Sequence, residues 1–191
     1  MTTRAETAAA TRRALLRTAT ALLDEGGVDA VTLRAVGSGA GVSRTAAYRH
    51  FSDKEEMLTA ISLAAWEELA GQIHEIAAHS VLPPADALRE AIGVPVALAR
   101  NRPNLYRLML TRAPFGPTVT SSDVEPRPPD VLLTLVGRVV PPDRARPFAG
   151  LLLAAVHGIA DLELNGYLDT EEWNADGDQL IELLIRTLPT R

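Results

Sequence analysis

With 191 residues, the chain is long enough to bury a core, either as one helical unit of two parts or as a small domain fused to a larger one. Apolar residues make up 47 % of it and aromatic residues 4 %, and there is no Cys, which excludes a disulfide framework, a thiolate metal site and cysteine redox chemistry. The net charge of −5 conceals an asymmetry: residues 1–52 carry seven Arg against four acids, a net +3, on an otherwise acidic body, so a polyanion partner is expected for that head alone.

The apolar residues are mainly Ala and Leu, which favour helix, and an all-α fold of about nine helices is expected with no strand. Residues 1–6 read as a disordered arm. From Thr7 to Glu25 the spacing of Leu15, Leu16, Ala19, Leu22 and Leu23 marks one helix face, and Gly26-Gly27 supplies the stop. Thr32 is a good cap for a short second helix, Leu33 to Ala40, and Ser43 for a third that runs to about Phe51. Asp53 with Glu56 opens a long fourth helix, whose Met57, Ile61, Ala65, Leu69 and Ile73 keep helical spacing until Pro83-Pro84.

Leu88, Ile92, Val96 and Leu98 then mark a fifth helix, in which Gly93 and Pro95 predict kinks. A short sixth helix follows, Asn104 to Thr111. The five Pro between Ala113 and Pro129 predict a long loop, after which helices are expected over 130–140, 146–168 and 176–188. The first ten residues lack the apolar core of a secretory signal, and no run approaches roughly 18 uninterrupted apolar residues, so a cytoplasmic protein that does not cross a membrane is expected.

The informative stretch is Thr32 to Lys54, where two short helices meet at a Gly-containing turn. This is the pattern of a helix-turn-helix, in which the second helix lies in the major groove. Arg44 and Thr45 occupy that helix's first turn, within reach of base edges, with Arg as a two-pronged donor for guanine. Tyr48, His50 and Lys54 follow at the rim, suited to phosphates. Gly37 and Gly39 weaken the helix before the turn by roughly 1 kcal/mol each relative to Ala, which raises the alternative of a degenerate DNA-binding head.

Gly41-Val42-Ser43, Tyr48-Arg49-His50-Phe51 and Lys54 together resemble the N-terminal signature of TetR/AcrR-family transcriptional regulators over about residues 7–70. The resemblance implies that Arg34, Arg44 and Thr45 read bases, that Thr32, Tyr48, His50 and Lys54 hold phosphates, and that Ser43 and Arg49 belong to the same DNA-binding set. Phe51 would be core instead. It further implies a head at 1–52, an effector-binding and dimerisation domain at 53–191, a homodimer formed through the last two helices, and double-stranded DNA with a near-palindromic operator as partner.

Pro103-Asn-Leu-Tyr-Arg-Leu-Met109 and Ala155-Val-His-Gly-Ile-Ala-Asp-Leu-Glu163 resemble a TetR subgroup marked by a Trp…His-Gly pattern, with Leu153 standing where the Trp is expected. His157 and Asp161 share a helix face and admit three readings: a hydrogen-bonded structural pair, an anchor for an effector, or half of a metal site. No third ligand is tied to them by spacing, and neither a metal nor a cofactor is expected. The candidate effector wall is Trp66, Leu69, Ile73, Tyr106, Met109, Leu110, Phe115 and His157, each of which could equally be plain core. Few charges fall among these, so a small, mostly apolar effector is expected to release a repressor from DNA. An activator of the same fold, or a ligand-binding or scaffolding module with a dead head, are the alternatives. No nucleophile elbow, phosphate loop or metal triad points to an enzyme.

Overall fold

Thr3 opens the first helix through a capping box: its Oγ1 accepts from the Glu6 backbone N–H, and the Glu6 carboxylate accepts from the Thr3 N–H (3.2 and 2.6 Å). Helix α1 (Arg4–Ala30) therefore already includes Arg4, Ala5 and Glu6, half of the residues expected as an arm. The structure is a computed structural model describing residues 3–112, 128–168 and 170–189, and every regular element among them is helical. Ten helices are present there against the nine or so expected, the extra one being a single four-residue turn, α9 (Thr170–Trp173). Phe115 and the rest of the Pro-rich stretch 113–127 lie outside the described residues.

The described residues form two compact units. Residues 3–65 with 104–112 make the first. In α1 the helical path is lost at Gly26 and Gly27, the latter at φ +68°, a left-handed conformation that glycine tolerates best. The Asp24 carbonyl near this end accepts from the Asn104 side-chain amide at 3.2 Å. Helix α2 (Leu33–Gly39) is capped by Thr32, whose Oγ1 accepts from Ala35 N–H, and α3 (Arg44–His50) by Ser43, whose Oγ accepts from Ala46 N–H.

The turn between α2 and α3 closes with two bonds, Gly41 N–H to Ser38 C=O and Val42 N–H to Gly37 C=O (3.1 and 2.9 Å). With Gly41 at φ +69°, this is the Schellman arrangement that satisfies the last carbonyls of a helix. Helix α4 (Lys54–His79) starts at Asp53, whose Oδ1 accepts from Glu56 N–H. Its first part, with α6 (Pro103–Thr111), completes this unit's core of Leu15, Leu23, Val36, Phe51, Met57 and Leu105. Ser62, fully buried, donates to the Arg112 carbonyl at 3.0 Å, and Arg112 also pairs with Glu55.

The second unit comprises residues 66–103, 128–168 and 170–189. It holds the rest of α4, α5 (Pro84–Asn101), α7 (Pro128–Val139), α8 (Pro142–Leu164), α9 and α10 (Gly177–Arg186). Helix α5 packs on α7, α8 and α10, and α8 also packs on α7 and α10. Where Gly93 and Pro95 predict kinks, α5 runs as a single helical segment, with Pro95 buried in its packed face. Asp176 and Gln179 form a second capping box at the start of α10.

The ends of three helices meet in one ionic cluster. Arg100 of α5 grips the Glu163 carboxylate with two nitrogens (both 2.7 Å) and Asp178 with a third (3.0 Å), while Glu163 also accepts from Gly177 N–H. The bonds to Glu163 and then to Asp178 raise the pKa of Arg100 above its usual value against the opposing cost of burial.

Residues Ala145–Leu164 of α8 meet the length and apolarity of a membrane span, with a mean hydropathy of 1.4. Yet Arg146, Asp161 and Glu163 lie within that stretch, and Leu152, Val156 and Ile159 pack it into the helical unit. The excess apolarity lies on its outer side, where Leu151 and Leu162 are exposed and a Cβ at Gly150 or Gly158 would meet nothing within 4 Å among the described residues.

Candidate nucleic-acid interface and ligand cavity

Ala47 and Phe51 are buried, Phe51 to 1 % exposure, and they fasten the inner side of α3 to the first unit's core. A seven-residue helix anchored on that side must present its other residues to solvent, and Arg44, Thr45, Tyr48 and Arg49 are all exposed. Thr32, Arg34 and Ser43 are exposed as well, and His50 and Lys54 are half-buried at the end of α3 and the start of α4. The structure thus collects all nine predicted DNA-binding residues into one unit. Thr32 and Ser43 use hydroxyl lone pairs as helix caps, which leaves each O–H proton available as a donor to a phosphate.

Two arginines lie over aromatic rings here. The Arg44 guanidinium lies 5.5 Å from the centre of Tyr48, and Arg12 of α1 lies 4.9 Å from the centre of Phe51. Beside Phe51, the Glu56 carboxylate accepts from both the backbone N–H and the hydroxyl of Ser52 (2.7 and 2.8 Å). Those bonds, the backbone one foremost, hold its pKa below the ordinary carboxylate value. Arg12 went unnoticed in the sequence because it lies outside the helix-turn-helix stretch and its contact with Phe51 joins residues 39 apart in the chain.

Of the predicted effector residues, Trp66, Leu69, Ile73 and His157 come together around a cavity of about 40 Å³ in the second unit. Ile92 and Pro95 of α5 and Leu132 of α7 complete its walls, residues that the sequence offers no means of separating from ordinary core. Tyr106 and Met109 are instead buried in the first unit's core, because the inward stripe of α6 packs there, and Leu110 on the other side of α6 is 39 % exposed. None of these three lines the cavity.

Among the described residues, His157 is the one titratable group in the cavity wall, and burial lowers its pKa, so the neutral form is favoured at pH 7. The carboxylate of Asp161 accepts from the Asn165 side-chain amide at 3.1 Å.

Residues 15–61 match the profile of bacterial regulatory proteins of the tetR family, and residues 88–188 match that of a tetracyclin repressor-like C-terminal domain. The chain belongs to the TetR family. It is a DNA-binding transcriptional regulator and not an enzyme. A protein of unknown function from Rhodococcus sp. RHA1 is 27 % identical over 93 % of this chain and 95 % of its own, with a TM-score of 0.76. A TetR-family transcriptional regulator from Streptomyces coelicolor is 21 % identical, with 95 % of this chain and 99 % of that one covered and a TM-score of 0.67. A TetR from Acinetobacter baumannii AYE in complex with minocycline is 21 % identical over 90 % of this chain and 92 % of its own, with a TM-score of 0.59. These last two likenesses establish the TetR fold alone. No curated protein sequence matches the chain significantly.

Proposed function

We propose that this TetR-family protein is a repressor: a homodimer that sets its two α3 helices into successive major grooves of a near-palindromic operator, about 34–36 Å apart, and leaves DNA when a small, mostly apolar effector binds. In this reading residues 1–52 are the DNA-binding head, residues 53–191 bind the effector and dimerise, and the protein acts in the cytoplasm. The observation that carries it is the outward presentation of Arg44, Thr45 and Tyr48 on a helix whose other side is anchored by Ala47 and Phe51.

Dimerisation through α8 and α10 is supported by the exposure of Leu151, Leu162 and Leu183 and by the open space over Gly150 and Gly158, which lets a helix approach closely. An apolar effector is supported by a cavity walled almost entirely by carbon, and a small-molecule effector in general by the minocycline held in the related TetR. At about 40 Å³ the cavity is far smaller than the roughly 300–1,000 Å³ of a drug-sized site. Binding must therefore spread α4, α5, α7 and α8, and α4 is the helix that also carries Lys54. An effector that prefers the widened state would weaken DNA binding by a coupling of about 1–3 kcal/mol.

The test compares Arg44→Ala with Lys54→Ala on operator and random duplexes across a salt series. Arg44→Ala is expected to cost about 1–3 kcal/mol on the operator and little on random DNA, whereas Lys54→Ala weakens both alike and flattens the salt dependence. Equal loss on both duplexes for Arg44→Ala rules out its reading of a base.

A further inference from the structure

Arg44 and Tyr48 stand one turn apart on α3, and the guanidinium carbon sits 5.5 Å from the centre of the Tyr48 ring. Both side chains are exposed, Tyr48 to 45 %, so packing does not force this contact; it is the attraction of a cation for an aromatic face. A guanidinium held over a ring through its charge keeps N–H donors that point away from the ring, and such donors are what pair with a guanine. A long exposed arginine otherwise surrenders rotamer freedom when it docks, and the ring removes part of that loss in advance.

We propose that Tyr48 sets sequence specificity through Arg44: it is a positioning residue whose ring holds the arginine's donor edge ready for a base, apart from any phosphate contact made by its hydroxyl. The proposal rests on the reading that Arg44 contacts a base. Tyr48→Phe keeps the ring and removes the hydroxyl, while Tyr48→Leu removes the ring and retains bulk and helix propensity.

The experiment places Tyr48→Phe and Tyr48→Leu in the Arg44 and Arg44→Ala backgrounds, with folding checked by circular dichroism. Affinities are measured for a duplex that the unmutated protein selects from a randomised library and for a scrambled duplex of the same length. Tyr48→Phe should keep the selected-to-scrambled affinity ratio within about twofold, and Tyr48→Leu should lower it about two- to fivefold only where Arg44 is present. The proposal is overturned if Tyr48→Leu lowers the ratio equally without Arg44, if it leaves the ratio intact beside Arg44, or if Tyr48→Phe loses as much as Tyr48→Leu. Should Arg44→Ala by itself leave the ratio unchanged, the base-reading role fails first and the proposal falls with it.

Discussion

The two glycines of α2 should respond in opposite directions to alanine. A Cβ at Gly37 would meet the Ala47 methyl at 3.5 Å and the Val42 carbonyl at 3.6 Å, which are ordinary contacts, so Gly37→Ala gains most of the roughly 1 kcal/mol by which alanine favours a helix interior. A Cβ at Gly39 would lie 2.7 Å from Thr18 Cγ2 of α1, about 1 Å inside a normal carbon–carbon separation. Thr18 is β-branched and restricted about χ1, so relieving the overlap requires a change of its rotamer or a shift of α2, at about 1–3 kcal/mol. Gly39 is also the last residue of its helix, where the propensity gain is smallest.

Thermal unfolding followed by circular dichroism should therefore place Gly37→Ala about 1–4 °C above the unmutated protein and Gly39→Ala below it by a similar margin. In a Thr18→Ser background the offending methyl is gone and the cost of Gly39→Ala should vanish. If Gly39→Ala stabilises as much as Gly37→Ala, or costs as much beside Ser as beside Thr, the steric reasoning is wrong. The same result bears on the head itself: a glycine required by helix packing is no mark of decay.

At Gly177 a Cβ would overlap the Glu163 carboxylate that Arg100 grips, so Gly177→Ala should lower stability by about 1 kcal/mol, a value reduced for the solvent exposure of Arg100 and Asp178. In a Glu163→Ala background most of the penalty should disappear, the remainder coming from Ile159 Cγ2 at 3.0 Å, and a rise in melting temperature from Gly177→Ala alone would contradict the argument. His157 has its pKa lowered by burial, so below the unfolded value of 6.5 the unfolded chain binds a proton that the folded chain resists. Stability should accordingly fall from about pH 7 to pH 5 more steeply in the unmutated protein than in His157→Gln, and a steeper fall in the variant would reverse the sign and refute the assignment.

Local chemistry is what the amino-acid order settled without help. Thr32, Ser43, Asp53 and Asp176 cap helices because a short polar side chain beside free N–H groups has one favourable use, and Gly26-Gly27 and Gly41 interrupt the chain where it leaves the right-handed region. The two sides of α3 were legible for the same reason, since Ser43 to Phe51 is one contiguous stretch whose spacing divides an anchored side from an exposed one, whereas the DNA-binding role proposed for its exposed residues came from the family resemblance. Contacts between distant segments were not legible. Arg100 meets Glu163 and Asp178 across 63 and 78 residues, Gly39 touches Thr18 across a helix crossing, and Tyr106 and Met109 turn into one core while Trp66 and His157 line a cavity in another. Apolar helix faces look alike in sequence, and which of them meet is decided by how the helices pack, because burial rewards any carbon surface that fits and names no partner in advance.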